Sequence, residues 1–163
     1  MTDSPNRIRQ RLSEIPIVPR FIATGFFSGY APIAPGTVGS AAALLFFLIP
    51  GFGHSIVLLP ATLIVFILGG LAAGTAEKFL GPDPSSVTID EVAGMWLSLW
   101  FLPLTVPFVI AGFILFRFFD IIKPFPARYF DKKNGGWNIM LDDVMAALYT
   151  NIILQAAYRF FFQ

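Results

Sequence analysis

From Phe21 to Ala76 the chain carries no Lys, Arg, Asp or Glu, and two further charge-free runs follow at Val92–Phe116 and Val144–Tyr158. A soluble fold could hold such runs only by exposing large apolar patches, whereas lipid favours them. Across all 163 residues, 56% are hydrophobic and 13% are Asp, Glu, Lys or Arg. An ordinary soluble domain carries about 25% charge. The expectation is an all-α fold: a compact multi-helix integral membrane protein. The alternative is a soluble helical domain with an unusually apolar core.

One domain is the natural reading at this length. Residues 1–20 form a polar, basic lead suited to lie on a membrane surface, and residues 21–163 a single membrane-embedded domain. Net charge is +1, too small for a broad nucleic-acid footprint. The cations nevertheless cluster: Arg7, Arg9, Arg11 and Arg20 precede the first apolar tract, and Arg117, Lys123, Arg128, Lys132 and Lys133 follow the second charge-free run. Such flanks suit anionic headgroups and the cytoplasmic side of a membrane. The chain has no cysteine, which removes disulfides, thiolate ligands and cysteine-phosphatase chemistry. The first apolar tract follows a long polar lead and is broken by glycine and proline, unlike a cleaved signal peptide.

Phe21–Ser40, FIATGFFSGYAPIAPGTVGS, is too interrupted for an ordinary spanning helix. Full spans are expected near 39–53 and 55–74, then a polar segment from Thr75 to Asp90 and a final helix over Ile139–Phe162. His54, the one histidine, falls in the loop between the first two spans and reads as an interface residue. Val92–Phe116 is long enough to cross a bilayer once, but that would put Asp90-Glu91 and Asp120 on opposite surfaces. Pro103 and Pro107 offer the means of return, so a hairpin of two short helices turning at Leu104–Val106 is predicted.

Of ten acids, six sit where apolar helices begin or end: Asp90, Glu91, Asp120, Asp131, Asp142 and Asp143. Carboxylates there are costly unless hydrated, paired or bound to metal. Asp90-Glu91 and Asp142-Asp143 could each serve as helix-start acids. Two adjacent pairs, joined by Asp120 and Asp131, favour a shared site for a hard cation, magnesium or its substitute manganese.

Arg117, Asp120 and Lys123 fall at i, i+3 and i+6, with Pro124 closing the helix. They read either as a simple Arg–Asp pair or as a metal-binding acid flanked by cations that neutralise phosphate oxygens. The segment Pro35-Gly36-Thr37-Val38-Gly39-Ser40 could add backbone N–H groups and the hydroxyls of Thr37 and Ser40, with Gly39 allowing close approach of an anion. It is no nucleotide P-loop, because the Lys-Ser/Thr ending is missing.

Four stretches, SGYAPIAPGTVGS at 28–40, IDEVAGMW at 89–96, FRFFDIIKPFPARYFD at 116–131 and GGWNIMLDDVMAAL at 135–148, make the chain resemble the phosphatidylglycerophosphatase A family. The resemblance covers most of the chain from Phe21 onward. It implies a bacterial inner-membrane, multi-pass enzyme whose active site faces the cytoplasm and which hydrolyses the terminal phosphate of phosphatidylglycerophosphate with magnesium. It also implies catalytic roles for Asp90, Glu91, Arg117, Asp120, Lys123, Asp142 and Asp143, metal ligation by the acids including Asp131, and phosphate contacts from Thr37, Gly39, Ser40, Arg117 and Lys123. Trp137-Asn138 and Ala146-Ala147 depart from the family's usual residues, which bears on local packing near the last helix. The partner implied is the phospholipid substrate, with no nucleic acid. A small transporter or channel subunit, or another lipid-headgroup phosphatase or transferase, are the competing classes. Neither the repeated Asp-x-x-Asp of headgroup transferases nor the histidine surroundings of histidine-based lipid phosphatases are present.

Overall fold

The computed structural model describes residues 5–162 and is all-helical, with no strand among those residues. The side chains of Arg7 and Arg9, and Gln163, lie outside the described residues. Among the described residues there are eight α-helices: α1 (Pro5–Glu14), α2 (Ile17–Ala23), α3 (Pro35–Leu45), α4 (Ser55–Leu80), α5 (Ile89–Ser98), α6 (Val106–Ile122), α7 (Ala127–Asp131) and α8 (Gly136–Phe162). Two short 3-10 turns, Ser28–Tyr30 and Phe46–Leu48, flank α3.

The centre of the bundle is α5, which is apolar nearly all round and buried nearly all round, as a core helix must be. It packs against α3, α4 and α8, and α8 in turn is packed against α4, α6 and α7. Trp96 anchors α5 to α3 by donating its indole N–H to the Ala43 carbonyl at 2.9 Å, and Phe46 and Phe52 close over its ring. The departures noted in the last stretch find their places here. Trp137 packs against Phe66 and over Gly70 of α4, while Ala146 and Ala147 are fully buried in the crossing.

Two helices, α4 and α8, are long and apolar enough to cross a membrane. With 26 residues, α4 extends about 39 Å. It turns Ile56, Leu63, Ile64 and Leu71 outward, each more than half exposed, a stripe that water would not tolerate well. The helix continues to Leu80, six residues past the expected end at 74, because Thr75–Leu80 keeps good helix formers and Gly81 first breaks it with φ 96°.

The other expected span is not a full one. α3 begins earlier than expected, at Pro35, and with its 3-10 extension stops at Leu48, about 21 Å in all and short of a hydrocarbon core of about 30 Å. Pro35 starts it because proline suits the first helical turn, whose N–H groups lack acceptors anyway. His54 lies just before α4, exposed.

Between α5 and α6 the chain reverses through residues 99–105, so Val92–Phe116 is a hairpin. The turn is wider than Leu104–Val106, since α5 ends at Ser98 and Pro107 belongs to the first turn of α6. Its carbonyls are satisfied from α8: Asn151 donates to Ser98 and Trp100, and Gln155 to Trp100 and Phe101. Backbone that leaves a helix inside an apolar body needs such partners. Leu104 meets Gly53, so this turn and the α3–α4 loop share one end of the bundle. The N-termini of α3, α5 and α8 and the C-terminus of α6 gather at the opposite end.

The N-terminal lead is docked on this body. Leu12 and Ile15 are buried, Arg11 donates to the Phe79 carbonyl of α4, and α2 runs through residue 20 without a break.

Candidate active site

At that end lies a polar cavity of about 340 Å3. Six carboxylates line it, Asp83, Asp90, Glu91, Asp120, Asp142 and Asp143, against two cations, Arg117 and Lys123.

Both acid pairs lie inside their helices, not ahead of them. Asp90 and Glu91 are the second and third residues of α5, and Asp142 and Asp143 the seventh and eighth of α8. A helix start at Gly136 rules out capping by the second pair, because that pair is beyond the first turn, where free N–H groups end. Adjacent helical residues point about 100° apart. The crossing of α5 and α8 nevertheless turns Asp90, Asp142 and Asp143 together, with one oxygen of each within 4.8 Å of the others.

Asp142 accepts hydrogen bonds from Lys123 Nζ at 2.6 Å and from the Asp143 N–H at 3.0 Å. Asp90 Oδ1, Glu91 Oε2 and Asp143 Oδ2 are buried with no hydrogen-bond donor. Buried carboxylate oxygens without a donor are expensive, and a cluster of them more so. A hard divalent cation would relieve that cost, and the all-oxygen donor set fits one.

The cations are held by geometry. Arg117 NH1 lies 3.0 Å from Asp120 Oδ2 one turn on, 3.6 Å from Glu91 Oε1 and 3.5 Å from Ser40 Oγ. Lys123 ends α6 in the left-handed conformation, φ 47°, uncommon for a residue with a side chain. From there its ammonium bridges Asp142 and Asp131. Burial alone would lower the Lys123 pKa, but Asp142 and Asp131 outweigh it and hold the group above the ordinary lysine range. Asp131 thus meets the site through Lys123 and does not line the cavity.

In the first turn of α3, Gly36 lies flush against the ion pair. A Cβ there would sit 2.1 Å from Glu91 Oε1 and 3.1 Å from the Arg117 guanidinium. Gly36→Ala is therefore expected to push Glu91 and Arg117 apart and to lower turnover at least about tenfold, about 1.4 kcal/mol. Circular dichroism should still show a fully helical protein. Gly39 instead packs on Thr88, Thr37 lies half-buried away from the cavity, and Ser40 is buried, bonded to the Gly36 carbonyl and to Arg117.

One acid was not anticipated. Asp83, between Pro82 and Pro84, adopts φ 41° and lines the cavity. Desolvation of its inner edge raises its pKa, opposed by Lys123 and reinforced by Asp131, Asp120 and Glu77. The two prolines read as helix breakers; an acid fixed between them was the available signal.

The sequence matches the family described as phosphatidylglycerophosphatase A over residues 21–158. Among its relatives are phosphatidylglycerophosphatase A of Haemophilus influenzae, 41% identical across 83% of this chain and 85% of that protein, and of Escherichia coli, 40% identical across 82% and 79%. A Bacteroides thetaiotaomicron protein, provisionally named a phosphatidylinositol-3-phosphatase, is 40% identical across 86% of this chain and 93% of its own. No solved structure matches the chain. The family match encloses all eight residues that build the cavity's charged lining, and the chain belongs to the phosphatidylglycerophosphatase A family.

Proposed function

We propose that this protein hydrolyses the terminal phosphate monoester of phosphatidylglycerophosphate, releasing phosphatidylglycerol and inorganic phosphate, as a multi-pass enzyme of a bacterial inner membrane. The observation that carries this reading is the meeting of Asp90, Asp142 and Asp143 beside Arg117 and Lys123 in one cavity, on a chain of this family.

Asp90, Asp142 and Asp143 would hold a magnesium ion, which supplies Lewis-acid polarisation of the phosphoryl group and acidifies water for attack. Arg117, clamped by Glu91 and Asp120, keeps its guanidinium on the cavity wall, where it neutralises charge growing on the phosphoryl oxygens. Lys123 adds a second positive charge from the α6 end. The first turn of α3 places Gly36, whose N–H has no intrahelical acceptor, on the wall of the same cavity. Glu91 turns Oε1 to Arg117 and leaves Oε2 buried and without a donor, and Oε2 is the oxygen that can take the proton from water.

The membrane placement rests on α4 and α8 and on the outward apolar face of α4. Arg117, Lys123, Arg128, Lys132 and Lys133 all belong to the tract at the cavity end, which the positive-inside tendency assigns to the cytoplasm.

Phosphate release by the full chain in detergent tests the reading, with phosphatidylglycerophosphate, phosphatidylinositol 3-phosphate and phosphatidic acid compared. Release from phosphatidylglycerophosphate should vanish in chelator and return with magnesium, with manganese as a substitute. Absence of metal-dependent release from all three would overturn the phosphatase assignment. Preference for the inositol lipid would keep the chemistry and change the headgroup, the second reading that the Bacteroides relative favours.

A further inference from the structure

A second cavity, of about 520 Å3, adjoins the first across Lys123, whose side chain lines both. Its charge balance is the reverse of its neighbour's: Lys123, Arg128 and Lys132 line it, and no carboxylate does. The Lys123 ammonium is already engaged by Asp131 and Asp142. Arg128 and Lys132 are not: both are exposed, and neither makes an ion pair among the described residues. Four residues apart at the end of α7, they repel each other, a cost that a bound anion removes. The remaining wall is apolar and open, with Ile122 55% and Phe125 83% exposed. Exposed cations beside exposed Phe and Ile form the pattern of a headgroup-level surface, with the apolar rim turned to acyl chains.

Resting on the phosphatase reading above, we propose that this cavity is a second phosphate subsite, which holds the phosphodiester of the lipid while the terminal monoester occupies the carboxylate cavity. The substrate class is then a phospholipid with two phosphates separated by one short polyol, its diester held by the Arg128 guanidinium and the Lys132 ammonium. Lys123 stands between the two phosphates. A lipid with a single phosphate forfeits the diester contact, so the subsite sets headgroup selectivity and leaves the chemistry to the first cavity.

The test uses the full chain in neutral detergent micelles, where attraction to an anionic bilayer is absent. It compares the Arg128→Gln/Lys132→Gln double variant with the wild type. Two quantities are read: KM for phosphatidylglycerophosphate, and the inhibition constant of inorganic phosphate, which probes the monoester site alone. The variant should raise KM at least about tenfold, with the loss in KM and not in kcat, while the phosphate inhibition constant stays within about twofold. The charge-preserving Lys132→Arg variant should raise KM less than the neutral Lys132→Gln variant does, because a cation still faces the diester. An unchanged KM in the double variant overturns the subsite. A parallel rise in both constants also overturns it, since it would mark a general electrostatic or folding effect. A wild type that releases no phosphate defeats the phosphatase reading itself, and that outcome is distinct from either.

Discussion

Asp143→Asn is expected to abolish phosphate release and, in chelator, to raise the melting temperature of the protein. Asp143 is 2% exposed and its Oδ2 has no donor, while Asp90 and Asp142 approach within 4.8 Å. In chelator, six carboxylates against two cations make the cluster self-repelling. Asparagine keeps the shape, removes one negative charge and adds an N–H that can donate toward Asp90. The folded state therefore gains, because removing an uncompensated buried charge relieves desolvation and repulsion together. Turnover should fall at least about a thousandfold, equivalent to about 4 kcal/mol of transition-state stabilisation. Magnesium should raise the melting temperature of the wild type, because an ion that binds only the folded state stabilises it. It should do so far less for the variant. Asp90→Asn should behave alike. Asp142→Asn should lose activity without the gain in stability, because it also breaks the Lys123 contact at 2.6 Å. Differential scanning fluorimetry with and without chelator, run beside the phosphate assay, checks all three. Near-normal turnover in Asp90→Asn and Asp143→Asn would reject the carboxylate site, and a lowered melting temperature in chelator would reject the charge balance on which it rests.

Arg117→Lys should cost about a hundredfold in kcat, about 2.7 kcal/mol, with little change in melting temperature. The substitution conserves charge, so the balance against Glu91 and Asp120 persists. What it removes is the rest of the planar fork: NH1 alone meets Asp120, Glu91 and Ser40, which leaves the second terminal nitrogen for a phosphate in the cavity. One ammonium cannot hold those positions and also present two parallel N–H groups to a phosphate. A melting temperature that falls in step with activity would assign Arg117 a purely structural clasp, and an unimpaired kcat would remove it from the chemistry. Steady-state kinetics and thermal melts on the same preparation separate these outcomes.

Some of this was legible along the chain. The i, i+3 pairing of Arg117 with Asp120 follows from helix geometry alone, and the structure has it at 3.0 Å. Lys123 at a helix end follows from Pro124, since the residue before proline avoids helical conformation. The hairpin followed from a sharper constraint: a single crossing would have separated Asp90-Glu91 from Asp120, and two prolines offered an escape. Its length was misjudged because Asn151 and Gln155, far along α8, are what make a seven-residue turn tolerable. No local signal near Pro103 announces them. α3 was read as a span because hydropathy reports composition and not where a short helix must stop.

By itself, then, the sequence determined which segments are apolar, that helices carry them, and that a handful of acids and cations break the pattern. These follow from one-dimensional spacing and from the cost of charge in lipid. Tertiary structure alone decided which carboxylates meet. Asp90 and Asp143 are far apart in the chain, and their convergence depends on how α5 and α8 cross. The rotation of each helix also decided that Asp131 reaches the cavity only through Lys123, that Gly36 packs on Glu91 while Gly39 packs on Thr88, and that Asp83 joins the lining. A helix's rotation about its axis is set by packing against neighbours on every side, and that information is spread over the whole chain, not held in any one motif.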